Sequence, residues 1–184
     1  AQKYVTSHYR DAHIPFVFSG VNAAPGSYGL EKSKNITGVL EHEHFEQTIR
    51  LLREIVPDLK RIVVMTDDGP TWPGVINRMQ QKLSNIDDLE VVAWEKISTF
   101  EEYKEKILAN QDKVDGVGLL GIFTFKDAAG NNVPYQEVLR WTTENSKLPD
   151  FSFWGDRIIG GTLCAVAVSG HAQGLQAGRL AREI

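Results

Sequence analysis

The sequence predicts an α/β fold, a parallel sheet covered by helices on both faces. Two observations carry this reading. Short apolar runs recur from one end of the chain to the other, several of them apolar at consecutive positions, as in a parallel strand buried on both sides. Between them lie stretches with helical periodicity bounded by start and stop signals, and alternation of the two kinds marks the α/β class.

Phe16-Val17-Phe18 is the first run. Gly20 to Lys34 has no apolar period and reads as a loop. Ile36 to Leu40 is the second run; Phe45, Ile49, Leu52 and Ile55 then share a helix face, and Pro57 ends that helix before Ile62-Val63-Val64-Met65. Behind Pro73, the residues Val75, Ile76, Met79 and Leu83 form a second stripe, followed by the run Val91-Val92-Ala93-Trp94. Ser98-Thr99-Phe100-Glu101 reads as a capping box, the serine oxygen and the glutamate satisfying each other's free amides ahead of Tyr103 and Ile107. Val117 to Phe123 is the next run, and Ala129-Gly130-Asn131-Asn132 after it is turn chemistry. Pro134 suits the first position of a helix carrying Val138, Leu139 and Trp141. Phe151 to Trp154 and Leu163 to Val168 are the last runs, and the final helix, from His171, is rich in Ala and Gly, which suits close packing on a sheet. Ile62 to Met65 and Val117 to Leu120 are the expected central strands.

Composition narrows the function classes. At roughly 100 to 200 residues per domain, 184 residues make one domain, or one lobe with part of another. Twenty Lys+Arg against 24 Asp+Glu, scattered along the chain, give a net charge of −4 and argue against a surface that tracks phosphates, so no nucleic-acid partner is expected. No apolar run approaches the roughly 20 residues of a membrane span. The lone cysteine, Cys164, sits within an apolar run as a small buried hydrophobe would. No charged-then-apolar leader opens the sequence, as in a cytoplasmic protein, a mature form or an excised domain.

Several motifs have a bland reading that outweighs the functional one. Gly116-Val117-Gly118-Leu119-Leu120-Gly121 matches a dinucleotide-binding string, but its glycines lie within an apolar run rather than at the opening of a helix. Asp67-Asp68 after a strand resembles a phosphoacceptor receiver, yet no matching aspartate and lysine end the later strands. Glu41-His42-Glu43-His44 fits a solvated first helical turn better than a metal site. Asn35-Ile36-Thr37 is too short a string to specify glycosylation. Ser169-Gly170-His171 makes no triad by itself. Nothing requires an enzyme, a metal or a cofactor.

What remains lies just past the carboxyl ends of the candidate strands: Ser19, Gly20 and Asn22 after the first, Asp67, Thr71 and Trp72 after the third, Phe123 after the fifth, Trp154 and Asp156 after the sixth. In an open α/β sheet that edge is where small ligands bind. Aromatic walls with a few carboxylates, hydroxyls and amides suit a small organic solute, and Asp67, Asp68 and Asp156 point to an amino acid or amine-bearing compound.

Three ordered segments, His13-Ile14-Pro15-Phe16-Val17-Phe18-Ser19-Gly20-Val21-Asn22, Asn35-Ile36-Thr37-Gly38-Val39 and Thr48 through Pro57 to Ile62, resemble the ABC transporter substrate-binding protein family with the type I periplasmic fold. More loosely, the resemblance extends through 151–156 and 163–178. It implies two α/β lobes joined by crossing strands, with residues 1–38 the tail of the first lobe, 39–158 a second lobe and 159–184 a return to the first, the opening of lobe one being absent. Phe16 to Phe18 and Ala165 to Val168 would then be neighbouring strands. The resemblance implies an extracytoplasmic solute-binding module that closes its lobes on the solute and is recognised by a membrane permease, or the sensing ectodomain of a membrane signalling protein. A cytoplasmic α/β enzyme acting on a nucleotide or sugar phosphate is the alternative from another class. An incomplete lobe exposes apolar surface and a strand edge, so a homo-oligomer is expected.

Overall fold

The computed structural model describes residues 2–184. In chain order the elements are α1 (Gln2–His8), β1 (Phe16–Val21), two short 3-10 turns, β2 (Ile36–Leu40), α2 (Phe45–Ile55), β3 (Arg61–Thr66), α3 (Trp72–Leu83), β4 (Glu90–Lys96), α4 (Phe100–Asn110), β5 (Gly116–Leu119), α5 (Tyr135–Asn145), β6 (Asp150–Trp154), α6 (Gly155–Ile159), β7 (Cys164–Val168) and α7 (Gly170–Glu183). They divide into two compact units, one of Glu43–Ala167 and one of the residues up to His42 together with Val168–Ile184.

The Glu43–Ala167 unit is built on a five-stranded sheet in the order β4-β3-β5-β6-β7, with parallel pairing of β3 to β4, β3 to β5 and β5 to β6. β3 is an interior strand between β4 and β5, and its consecutive apolar side chains alternate between two cores. Ile62 and Val64 join Phe45, Ile49 and Leu52 of α2 and Val75 and Met79 of α3. Val63 and Met65 join Tyr103 and Ile107 of α4 and Val138 and Leu139 of α5. Helices on both faces are the reason an uninterrupted apolar run is stable here. The glycines of the 116–121 string lie in and just after β5; a Cβ at Gly118 would meet the Phe151 ring at 2.7 Å, so that ring lies over β5 only because the side chain is missing.

Several expectations are corrected in detail. Ile55 is half exposed rather than buried. At 100° per residue it lies well off the direction shared by Phe45, Ile49 and Leu52, and Val56 packs on the core in its place. The capping box is shifted by one residue: Thr99 is the N-cap of α4, its hydroxyl accepting the Glu102 amide, while the Glu102 carboxylate accepts the Ser98 amide at 3.2 Å. Pro134 stands at the N-cap of α5 instead of its first turn. Residues 120–123 leave the sheet, since β5 ends at Leu119.

The largest correction concerns the last strand. Cys164–Val168 does not pair with Phe16–Phe18 but forms the edge strand β7 of the sheet that contains Val63. Two clips hold it there: Asp150 Oδ1 accepts the Leu163 amide at 2.8 Å, and the buried Thr48 hydroxyl accepts the Val166 amide at 3.2 Å.

In the other unit, β1 and β2 pair in parallel with Phe16 opposite Ile36 and Phe18 opposite Gly38, and α7 packs on both strands. Asn35 ties the approach to β1, its amide donating to the Tyr9 and Ile14 carbonyls while its oxygen accepts the Asp11 amide. Ser169 caps α7 by accepting the Ala172 amide. The expected close packing of small residues is not found on that helix: Gly170, Gly174 and Gly178 face open space.

Candidate ligand-binding site

At the carboxyl end of β3 the chain turns through Asp67, a carboxylate only 2% exposed. Oδ1 accepts the Gly69 amide at 2.8 Å and the Trp72 indole N–H; Oδ2 accepts the amides of Phe123 at 2.7 Å and Thr124 at 3.1 Å. One side chain therefore joins the end of β3, the start of α3 and the segment that follows β5. With each oxygen already accepting two N–H groups, Asp67 orients the site instead of facing a ligand. Asp68, by contrast, is exposed, and its acidity is increased by hydrogen bonds from Ser98 and Lys96.

The aromatic groups placed by this carboxylate form a continuous cluster. Trp72 stacks on Phe123, with ring planes 5° apart and centroids 6.3 Å apart, and meets Trp154 edge-on at 5.8 Å. Phe123 contacts Tyr135 at 5.4 Å and is 44% exposed. Gly121 makes the arrangement possible, because a Cβ there would collide with the Trp72 indole nitrogen and lie 2.7 Å from the Asp67 amide.

Beneath these rings lies Arg157, at the middle of the short helix α6 and fully buried. Its guanidinium carbon is 4.2 Å from the Phe123 centroid, 4.8 Å from that of Tyr135 and 6.0 Å from that of Trp154. Nη1 donates to Asp156 Oδ2 at 3.3 Å, whereas Nε and Nη2 are buried without a hydrogen-bond partner among the described residues. Burial lowers the pKa of this guanidinium, against the opposing influence of Asp156, Tyr135 and Asp67.

Asp67, Trp72, Phe123, Trp154 and Asp156 are thus brought together through direct contacts, and Thr71 adjoins them at the N-cap of α3. Ser19, Gly20 and Asn22 belong to the other unit. There Gly20, in the left-handed region at φ 68°, donates its amide to Gln173 of α7, Ser19 is exposed and Asn22 is half-buried. Sequence reasoning missed Arg157 and Tyr135. The signal available was a charged pair, Asp156-Arg157, one step beyond a buried strand, but the burial of the arginine is not written locally.

Elsewhere in the same unit, a groove of roughly 670 Å³ runs along Thr99, Phe100, Lys126 and Pro134, with its cations paired, Lys104 to Glu101 and Lys126 to Asn132. Glu43, from the acidic run before α2, is buried in a bidentate pair with Arg78 at 2.7 Å. Among the described residues no group of three or more His, Cys, Asp or Glu is placed to hold a metal ion, and no helix is long and apolar enough to cross a membrane.

Comparison with solved structures shows the same fold at low sequence identity. An ABC domain in complex with L-Trp from Streptococcus pneumoniae aligns with a TM-score of 0.67 at 17% identity over 98% of this chain. A conserved domain protein from Vibrio cholerae gives 0.68 at 18% over 98%. The ligand-free, open structure of a substrate binding protein with adhesive properties from Clostridium difficile gives 0.71 at 19% over 99%. The chain spans 60% of the length of each of these structures, and the fold is that of the type I periplasmic binding proteins. No curated protein shows significant sequence similarity to it. The sequence model of one family, described as ABC transporter substrate binding protein, matches residues 1–184, and this chain belongs to that family.

Proposed function

We propose that the chain is a solute-binding module of an ABC-type uptake system, working outside the cytoplasmic membrane and delivering a small organic solute to a permease without chemical change. The observation that carries this is the Trp72–Phe123–Trp154 cluster at the carboxyl edge of the sheet, in a chain matched by the family along its whole length. Residues 39–158 correspond in this reading to a second lobe, and 1–38 with 159–184 to parts of the first, whose closure holds the solute. The division of the chain after His42 supports the first of these boundaries, whereas β7 belongs to the sheet of the Glu43–Ala167 unit, so that the return to the first lobe begins at Val168 in this reading. An amino acid is the favoured solute. The Streptococcus pneumoniae relative was solved with L-Trp, and aromatic rings beside the half-exposed Asp156 carboxylate suit a zwitterion with an apolar side chain.

A thermal-shift screen of the protein at its native length against amino acids, small peptides and sugars tests the reading, because a ligand bound only to the native state raises the midpoint by mass action. Trp154→Ala and Asp156→Ala are each expected to weaken the solute found in this way at least tenfold, about 1.4 kcal/mol, with the fold intact. Calorimetry giving unchanged affinity in both variants removes these residues from the site. A screen in which no compound raises the midpoint removes the solute-binding role.

A further inference from the structure

Arg157 poses a question that packing alone does not answer. A guanidinium carries five N–H donors, and a buried one is ordinarily bonded along all its edges, since an unpaired buried donor is costly. Here the Nη1 corner reaches Asp156, while Nε and Nη2 are buried and have no partner among the described residues. Phe123 and Tyr135 offer their ring faces at 4.2 and 4.8 Å, which compensates the charge in part but supplies no oxygen acceptor to Nε or Nη2. The unpaired edge is also the one of highest chemical specificity. Nε–H and one Nη2–H point in parallel and match the two oxygens of a carboxylate.

We propose that Arg157 is the anion receptor of this site: its Nε/Nη2 edge takes the carboxylate of an amino-acid-type solute in two parallel N–H···O bonds, and the Phe123 ring moves off the guanidinium to admit it. Phe123 is the cover because, at 44% exposure, it is the most solvent-accessible of the rings packed on Arg157, the flanking Tyr135 and Trp154 being only half-buried. Asp156 holds the opposite corner of the guanidinium and leaves the bidentate edge to the ligand. Its own half-exposed carboxylate stands beside the place where the solute's ammonium group would lie. The same displacement lets the Phe123 ring pack against the body of the solute, still stacked within reach of Trp72. This inference rests on the solute-binding role and adds to it the chemical class of the ligand and the group that recognises it.

The test compares acids with their uncharged counterparts. The protein at its native length is titrated calorimetrically with the proteinogenic L-amino acids, their carboxamides, tryptamine and phenethylamine, and with glucose and maltose. At least one acid is expected to bind, with its carboxamide weaker by about a hundredfold, the range for loss of one partner of a desolvated charge pair. Arg157→Met is expected to bring acid and carboxamide to equal affinity at an unchanged circular dichroism spectrum, and Arg157→Lys to restore part of the preference as a point charge. An acid-over-amide preference that survives Arg157→Met overturns the proposal. So does equal binding of acid and amide by the unsubstituted protein, a readout that holds even if Arg157→Met does not fold. Binding of sugars or amines alone also overturns it while the solute-binding role stands, whereas binding of none of the probes overturns both.

Discussion

A buried carboxylate with all its positions taken is a structural clamp, and Asp67 is one. Asp67→Ala leaves three amides and the Trp72 indole without their acceptor, so a loss of about 3 kcal/mol or more is expected in urea unfolding, together with altered tryptophan fluorescence as Trp72 loses its anchor. Cys164 illustrates the opposite effect of burial. Desolvation pushes its thiol up to about 11 from the ordinary 9.0, so it stays protonated near neutral pH. Alkylation by iodoacetamide at pH 8 is therefore expected to be much slower in the native protein than after denaturation. The sign of the stability effect follows: the native state holds this proton more tightly than the unfolded chain, so the contribution is present below pH 9.0 and is lost as pH rises toward about 11.

At the scale of elements, α2 shows how one helix secures two parts of its sheet. Its apolar stripe, Phe45, Ile49 and Leu52, covers the face of β3 that carries Ile62 and Val64, and its buried Thr48 hydroxyl holds the amide of the edge strand β7. Leu52 is fully buried, and Leu52→Ala is expected to cost about 2 to 5 kcal/mol by the combined loss of transfer free energy and opening of a cavity. Equilibrium unfolding checks this, and a value below about 1 kcal/mol means that the helix does not bury this face. The half-exposed Ile55 serves as the control, since Ile55→Ala removes a side chain that is already about half in water and is expected to cost less than Leu52→Ala.

Across the whole molecule, burial is divided unevenly between the units. Of the buried apolar residues among those described, only Val21 and Leu30 belong to the unit formed by the residues up to His42 and 168–184, and α7 carries none. A two-stranded parallel sheet is a poor structure without cover on both faces, and Phe16, Phe18, Ile36 and Val39 are no more than half-buried. Amides of β1, β2 and α7 are therefore expected to exchange with deuterium well before those of β3 and β5. The apolar side chains of β1 also line a shallow cavity of roughly 260 Å³ with Val5 and Leu30. Self-association of the 184-residue chain through this unit is expected, and light scattering at increasing concentration checks it: a mass that stays at 20.6 kDa contradicts the expectation.

The α/β class, the central strands and the buried faces of α2 through α5 were legible in the sequence because periodicity is local: a run such as Ile62 to Met65 specifies burial on both sides whatever lies there. Carboxyl-edge residues were legible for the same reason, since parallel strands deliver their ends to one side of the sheet, and Asp67, Trp72, Phe123, Trp154 and Asp156 do meet. Partners were not legible. Periodicity marks Cys164–Val168 as a strand without naming its neighbour; the clips from Asp150 and Thr48, remote along the chain, go with its place at the edge of the five-stranded sheet. Nor does composition distinguish a carboxylate that will face solvent from one like Asp67 that closes on four N–H groups, or a surface arginine from one sealed under Phe123 and Tyr135. Those outcomes depend on groups brought within about 3 Å by the tertiary fold, where hydrogen-bond geometry and desolvation act, and only there does Arg157 become a buried cation with an unpaired edge.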